Sequence, residues 1–168
     1  GEYRDLSARD QNMAQMVKSI RKKYNKPMII WSHNGHLRKT KSSFFSAKPA
    51  GGHLDELFKE DYAAIAFDCK QGHFRAVSYD EEDWHQNRVF QLKPIEQTLS
   101  MGIDHGDKRF VVVDCATIKG KKTINSIGAI YVQNPKKGDA FTAPIRKNKA
   151  FNYLISIPQS TPLELITE

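Results

Sequence analysis

Cysteine is scarce in this chain. Cys69 and Cys115 are the only two among 168 residues. They form no CxxC pair, and no multi-cysteine metal motif exists. Each closes a stretch that reads as a strand, so a disulfide between them and two buried free thiols fit equally well. Long hydrophobic runs are also missing: none approaches the ~20 apolar residues needed to cross a bilayer. There is no GxSxG turn, which argues against a serine nucleophile elbow. There is no internal repeat and no low-complexity tract. The N-terminus, Gly1-Glu2-Tyr3-Arg4-Asp5, is polar and carries no apolar signal region. It begins abruptly, as a trimmed chain would.

What is present fits a soluble globular protein: 39% hydrophobic and 27% charged residues, in a length suited to one domain spanning 1–168. The net charge of +7 is spread out. Arg21-Lys22-Lys23 ends a helix, Lys39 and Lys41 lie in a loop, Lys119 and Lys121-Lys122 sit in a turn, and Lys136-Lys137, Lys147 and Lys149 come later. No basic stripe interleaves with aromatics, which argues against a nucleic-acid partner.

Ser7 to Tyr24 reads as a helix with Met13, Met16, Val17, Ile20 and Tyr24 on its core face and Ser7 or Asp10 as its cap. Asn25-Lys26-Pro27 breaks it, and Pro27 to Ile30 reads as the end of a buried strand. Leu37 to Gly52 is a long polar loop whose Phe44-Phe45 pair suggests docking. His53 to Glu60 reads as a short helix. Tyr62 to Cys69 and His73 to Tyr79 read as a hairpin around the turn Lys70-Gln71-Gly72. Asp80 to Asn87 reads as an exposed acidic loop. Pro94 opens a helix through Met101, and Arg109 to Cys115 is a strand. Ile127 to Val132 is short and apolar, Asn134-Pro135 starts a loop, and Ala150 to Ile157 is a last strand ended by Pro158. Interleaved helices and strands give the α/β class, with a mixed β-sheet and flanking helices.

The most informative segment is Trp31-Ser32-His33-Asn34-Gly35-His36. Two imidazoles three residues apart sit where a strand gives way to a loop, a place where α/β scaffolds mount chemistry. Histidine exchanges a proton near neutral pH without a large pKa shift. The bland alternative is one packed and one solvated histidine. As a metal pair, HxxH lacks a third local ligand. His53, His73, His85 and His105 are scattered singles that read as ordinary loop or surface residues. Asp68 and Asp114 read as strand-end turn caps.

Arg9-Asp10-Gln11-Asn12-Met13-Ala14 resembles the RDxxMA signature of the erythromycin esterase family. Ile30-Trp31-Ser32-His33-Asn34-Gly35-His36 resembles its WAHNxH motif, with Ser32 in place of Ala. Gly51-Gly52-His53-Leu54, Phe67 to Gly72 and Phe74-Arg75-Ala76 are similar to the GxxL…GFxxxxGxFxA run that follows. Phe151 to Pro162 is similar to the closing FDxLIFI…TP strand. The resemblance runs in order over almost the whole chain. It implies the fold shared by that family, its succinoglycan-biosynthesis relatives and a haem-binding lipoprotein family.

Members of the family are about twice this length, and an N-terminal GExxHG-type segment carries the histidine thought to be the general base. Nothing like it occurs here, so the resemblance is to the C-terminal half only. It implies hydrolysis of a carboxylic ester or lactone by attack of water, with neither metal nor cofactor, and a chain that lacks the base when alone. His33, His36 and Arg9 are then the catalytic candidates. One histidine orients the base or the water, the other donates to the oxyanion, and Arg9 holds a carboxylate or oxyanion. Trp31, Asn34 and Asp10 are the binding candidates. The implied partners are a small-molecule ester or lactone and the absent N-terminal half. An exposed edge would also favour a homo-oligomer. The other reading is a non-catalytic domain that binds a small molecule or haem in the same cleft.

Overall fold

The computed structural model describes residues 2–41, 47–78, 85–92, 94–131, 141–145, 149–162 and 164, with side chains from Ala8 onward. Two compact units make up the chain. The first comprises Gly1–Ala66, Asp114–Lys121 and Ile145–Leu154, and the second Phe67–Val113, Lys122–Pro144 and Ile155–Glu168.

In the first unit, helix α1 runs Glu2–Tyr24 and ends on Arg21, Lys22 and Lys23, which face the negative end of the helix dipole. Asn25 stops it by turning left-handed at φ 46°, with its N–H on Arg21 O at 2.8 Å. The helix starts earlier than its sequence suggests, so neither Ser7 nor Asp10 is its cap. Its buried face is also narrower than the periodicity predicts. Asp10 and Ala14 are buried, whereas Met16, Ile20 and Tyr24 are exposed. The cause is length: α1 packs on α3, Ala50–Phe58, and nine residues span about 14 Å against about 35 Å for α1. Residues 26–33 form no strand, and the expectation of a buried strand there is corrected. Ile29 is 96% and Trp31 79% exposed.

A single turn, α2 (Asn34–Leu37), follows. Gly51 lets α3 press on the chain just beyond it: a Cβ at Gly51 would lie 2.0 Å from Leu37 O and 2.5 Å from Arg38 O. Ion pairs Lys39–Asp55 (3.0 Å) and Lys48–Glu56 tie Lys39 and Lys48 to α3. Phe44 and Phe45 lie outside the described residues. Leu54, Phe151, Leu154 and Ile145 fill the core. Asn152 laces this unit together, donating N–H to Ala64 O (2.8 Å) while its Oδ1 accepts from Ala64 N (2.9 Å) and its O accepts from Cys115 N (2.9 Å). Both cysteines are free thiols.

The strands of the main sheet are β1 (Ile65–Ser78), β2 (Asn87–Leu92), β3 (Val111–Asp114), β5 (Ile130–Tyr131) and β7 (Tyr153–Ser160), while β4 (Lys122–Asn125) and β6 (Thr142–Ile145) form a separate pair. Most of the strand residues belong to the second unit, though β1, β3, β6 and β7 each have one end in the first. The order is β2-β1-β7-β3, with β5 added to β1. β2 is antiparallel to β1, with Phe74 opposite Phe90, and β5 is parallel to it, with Val77 opposite Ile130. The sheet is therefore mixed and the class α/β, as expected. Phe74, Phe90 and Phe141 pack around Tyr131 at ring separations of 4.5–4.9 Å.

Where the sequence predicts a hairpin over 62–79, Ile65–Ser78 form one continuous strand. Gly72 (φ 128°) is not a turn residue. A Cβ there would sit 2.2 Å from Ser160 O, so the glycine admits the backbone of β7. The predicted helix 94–101 is only a 3-10 turn, Leu99–Gly102, because Thr98 stays extended and bridges Thr123. The last strand begins at Tyr153 and continues through Pro158 to Ser160. The acidic run 80–83 and the loop at 134–135 lie outside the described residues.

Candidate active site

The histidine segment enters through a local cap. His33 is the N-cap of α2, and its Nδ1 accepts the Gly35 N–H at 3.1 Å. The accepting nitrogen carries no proton, so a neutral His33 bears its proton on Nε2. The short turn then sets His36 back toward the first unit, with His36 N on His33 O at 2.9 Å.

His36 meets Asp10. Its Nδ1 lies 2.8 Å from Asp10 Oδ1. An ionised carboxylate only accepts, so Nδ1–H donates and Nε2 remains the acceptor nitrogen. The His36 side chain is 26% exposed and that of Asp10 11%. Asp10 also has a second partner: Oδ2 accepts the Ala50 N–H at 3.0 Å. Ala50 opens α3, whose own cap residue Pro49 offers no side-chain hydrogen bond. Asp10 therefore supplies both the missing cap and a negative charge at a helix N-terminus. Being fixed by the helix, it fixes the imidazole.

On these contacts a neutral His33 carries its proton on Nε2 and a neutral His36 carries its proton on Nδ1. Asn34 opens α2, and its carbonyl accepts Arg38 N–H at 3.0 Å. Trp31 is exposed, and so is Arg9, about 100° around α1 from Asp10. The carboxylate of Asp10 is taken by His36 and Ala50, not by Arg9. Two neighbours escaped the sequence reading. Arg38 is buried two residues beyond His36, its Nη2 donates to Thr40 Oγ1 at 3.3 Å, and burial lowers its pKa. Tyr62 donates its hydroxyl to Leu37 O at 2.7 Å, and burial, with Asp55 nearby, pushes its phenol above the ordinary range. Arg38 sits in polar sequence with no apolar pattern to signal its burial. Among the described residues, no three His, Cys, Asp or Glu side chains gather as metal ligands do.

The model of the family described as erythromycin esterase matches residues 2–160. The chain belongs to the erythromycin esterase family. Its fold is that of solved structures with little sequence in common. A succinoglycan biosynthesis protein matches at TM-score 0.75 and 16% identity, over 93% of this chain and 39% of that one. A mutant of the erythromycin esterase EreC in its open conformation matches at TM-score 0.66 and 22% identity, over 98% and 40%. A Bacillus cereus protein matches at TM-score 0.61 and 23% identity, over 79% and 33%. No curated protein sequence matches. This erythromycin esterase-family chain thus spans about two-fifths of the length of the first structure it resembles.

Proposed function

We propose that this chain supplies half of a hydrolase site for a carboxylic ester or lactone, in which histidine-assisted water attacks the carbonyl. The observation that carries the reading is the His36–Asp10 pair at 2.8 Å, anchored by the Ala50 N–H. A carboxylate on Nδ1 orients the ring and stabilises positive charge on it, which suits His36 Nε2 to orient the base or the attacking water. His33, with its proton on Nε2, is suited to donate to the oxyanion. Arg9 assists by holding a carboxylate or oxyanion, and Trp31 and Asn34 line the bound molecule.

The general base belongs to a GExxHG-bearing N-terminal half, so residues 1–168 alone act as one inactive piece. We place that half against the exposed Ile29 and Trp31, which lead directly into His33. The family assignment supports an esterase-type reaction. The test is ester and lactone hydrolysis by the chain joined to such a half. His36→Ala is expected to cost 10²–10⁴-fold in turnover, on the order of a lost general acid–base group. His33→Ala is expected to cost 10²–10³-fold, on the order of a lost oxyanion donor. Chelator leaves both values unchanged. Full activity in both variants defeats the reading. Ligand affinity without turnover in the wild type favours the small-molecule or haem-binding alternative.

A further inference from the structure

Far from His36 in sequence, the second unit buries a second set of chemistry-bearing side chains. Asp68, in the middle of β1, is 5% exposed. Its Oδ2 accepts the Ser100 hydroxyl at 2.5 Å. Its Oδ1 accepts Asn125 Nδ2 (2.8 Å), Asn125 N (3.2 Å) and Cys69 N (2.9 Å). Ser100 in turn accepts the Ser156 hydroxyl at 3.1 Å, and Ser156 Oγ lies 3.1 Å from His105 Nε2. Ser100 and Ser156 are fully buried, and His105 is 6% exposed. His105 belongs to an exposed turn closed by Lys108 N on His105 O (3.0 Å) and by Asp104, which caps Gly106 N at 3.0 Å.

The donors run one way. Ser156 gives its only hydroxyl proton to Ser100, and Ser100 gives its own to Asp68. Ser156 can then only accept from His105, whose neutral ring must carry its proton on Nε2. We propose that His105–Ser156–Ser100–Asp68 is a reversible proton wire, in which neutralising Asp68 reverses both hydroxyls and switches the tautomer of His105.

The proton count closes. A solvent proton binds Nδ1 of His105. The Nε2 proton passes to Ser156, the Ser156 proton to Ser100, and the Ser100 proton to Asp68 Oδ2. The imidazole ends neutral with Nδ1–H, and the carboxyl ends neutral. Every hydrogen bond survives with its direction reversed, and the three donors on Oδ1 are untouched. Such a chain lets a carboxyl stay buried in either charge state without an orphaned partner, which an isolated buried carboxylate cannot do. Burial raises the pKa of Asp68, against the lowering effect of Ser100, Asn125 and Cys69. Among the described residues the groups facing Asp68 are the Ser100 hydroxyl, the Asn125 amide and backbone N–H, and the neighbouring Cys69, whose thiol is itself raised by burial. No charged side chain figures among them. His105 is thus the only basic group in the chain of bonds.

The device is read without an enzyme assay. Proton–nitrogen NMR correlations on the labelled 168-residue chain identify which ring nitrogen of His105 bears the proton, with His105→Gln giving the assignment. Near neutral pH the wild type shows Nε2–H. Asp68→Asn, whose amide must donate to Ser100, shows Nδ1–H. Adding Ser156→Ala to Asp68→Asn abolishes the switch. If Asp68→Asn fails to fold, the wild type still decides. As the Asp68 carboxyl carbon moves to its protonated position on acidification, the His105 ring proton passes from Nε2 to Nδ1, and in Ser156→Ala it does not. An Nε2–H tautomer retained in Asp68→Asn, or in the wild type once the Asp68 carboxyl is protonated, overturns the proposal.

Discussion

Replacing Asp10 removes two hydrogen bonds from two different elements at once. In Asp10→Ala the Ala50 N–H, buried at the start of α3, loses its acceptor. An orphaned buried donor costs about 1–3 kcal/mol. His36 loses its carboxylate partner, a charge-assisted bond worth about 1.5–3 kcal/mol when well buried and less at the partial exposure of this ring. The negative charge at the α3 N-terminus adds about 0.3–1 kcal/mol. Allowing for overlap, the loss is about 3–4 kcal/mol. At about 2–4 °C per kcal/mol for a chain of this size, Tm falls by about 6–16 °C. Asp10→Asn is milder, since its oxygen keeps the Ala50 N–H and its NH2 turns toward His36. That NH2 must donate to Nδ1, so the His36 proton moves to Nε2. Calorimetry reads the first effect and NMR of the ring nitrogens the second. A fall in Tm below about 2 °C for Asp10→Ala, with the His36 tautomer unchanged in Asp10→Asn, would refute the reasoning.

Gly51→Ala places a Cβ 2.0 Å from the Leu37 carbonyl; the backbone cannot yield that distance cheaply, and we expect more than about 3 kcal/mol of destabilisation in denaturant titration, in the range of severe overpacking. The Tyr62 phenol is raised above its unfolded value by burial. Its contribution to stability is therefore fully present below the unfolded pKa near 10 and is lost as pH rises through the higher folded value. The wild type is expected to lose stability relative to Tyr62→Phe above about pH 10, in paired unfolding curves. The isolated chain is expected to self-associate through Ile29 and Trp31, and Ile29→Lys with Trp31→Lys to reduce this. A monodisperse wild-type monomer at high concentration in light scattering would contradict the exposed-edge reading.

Local signals in the sequence were legible where the structure obeys them locally. The end of α1 at Lys22-Lys23-Tyr24 and the break at Asn25 follow from charge and backbone preference alone. So does the capping of Ala116 N by Asp114 Oδ1 at 2.8 Å. What failed to show depends on distant partners. Asp10 resembles a helix cap from its neighbours, yet its carboxylate caps a different helix, 40 residues away. Gly72 resembles a turn, yet it is glycine because Ser160 passes against it. His105 resembles a surface histidine until Ser156, 51 residues away, is placed beside it. Met28 to Trp31 is an apolar run that resembles a buried strand, yet Ile29 and Trp31 are exposed. The motif pair around Arg9-Asp10 and His33–His36 was legible as a family signature. Its geometry, a carboxylate shared between an imidazole and a helix N-terminus, was not.

Turnover itself is the most direct test of the central claim. An ester or lactone is offered to the 168-residue chain alone and to the same chain joined to a GExxHG-bearing N-terminal half. The chain alone is expected to give no hydrolysis above buffer, and the joined form is expected to hydrolyse in a manner that depends on His36. Robust hydrolysis by the chain alone, or none by a folded joined form, would contradict the claim.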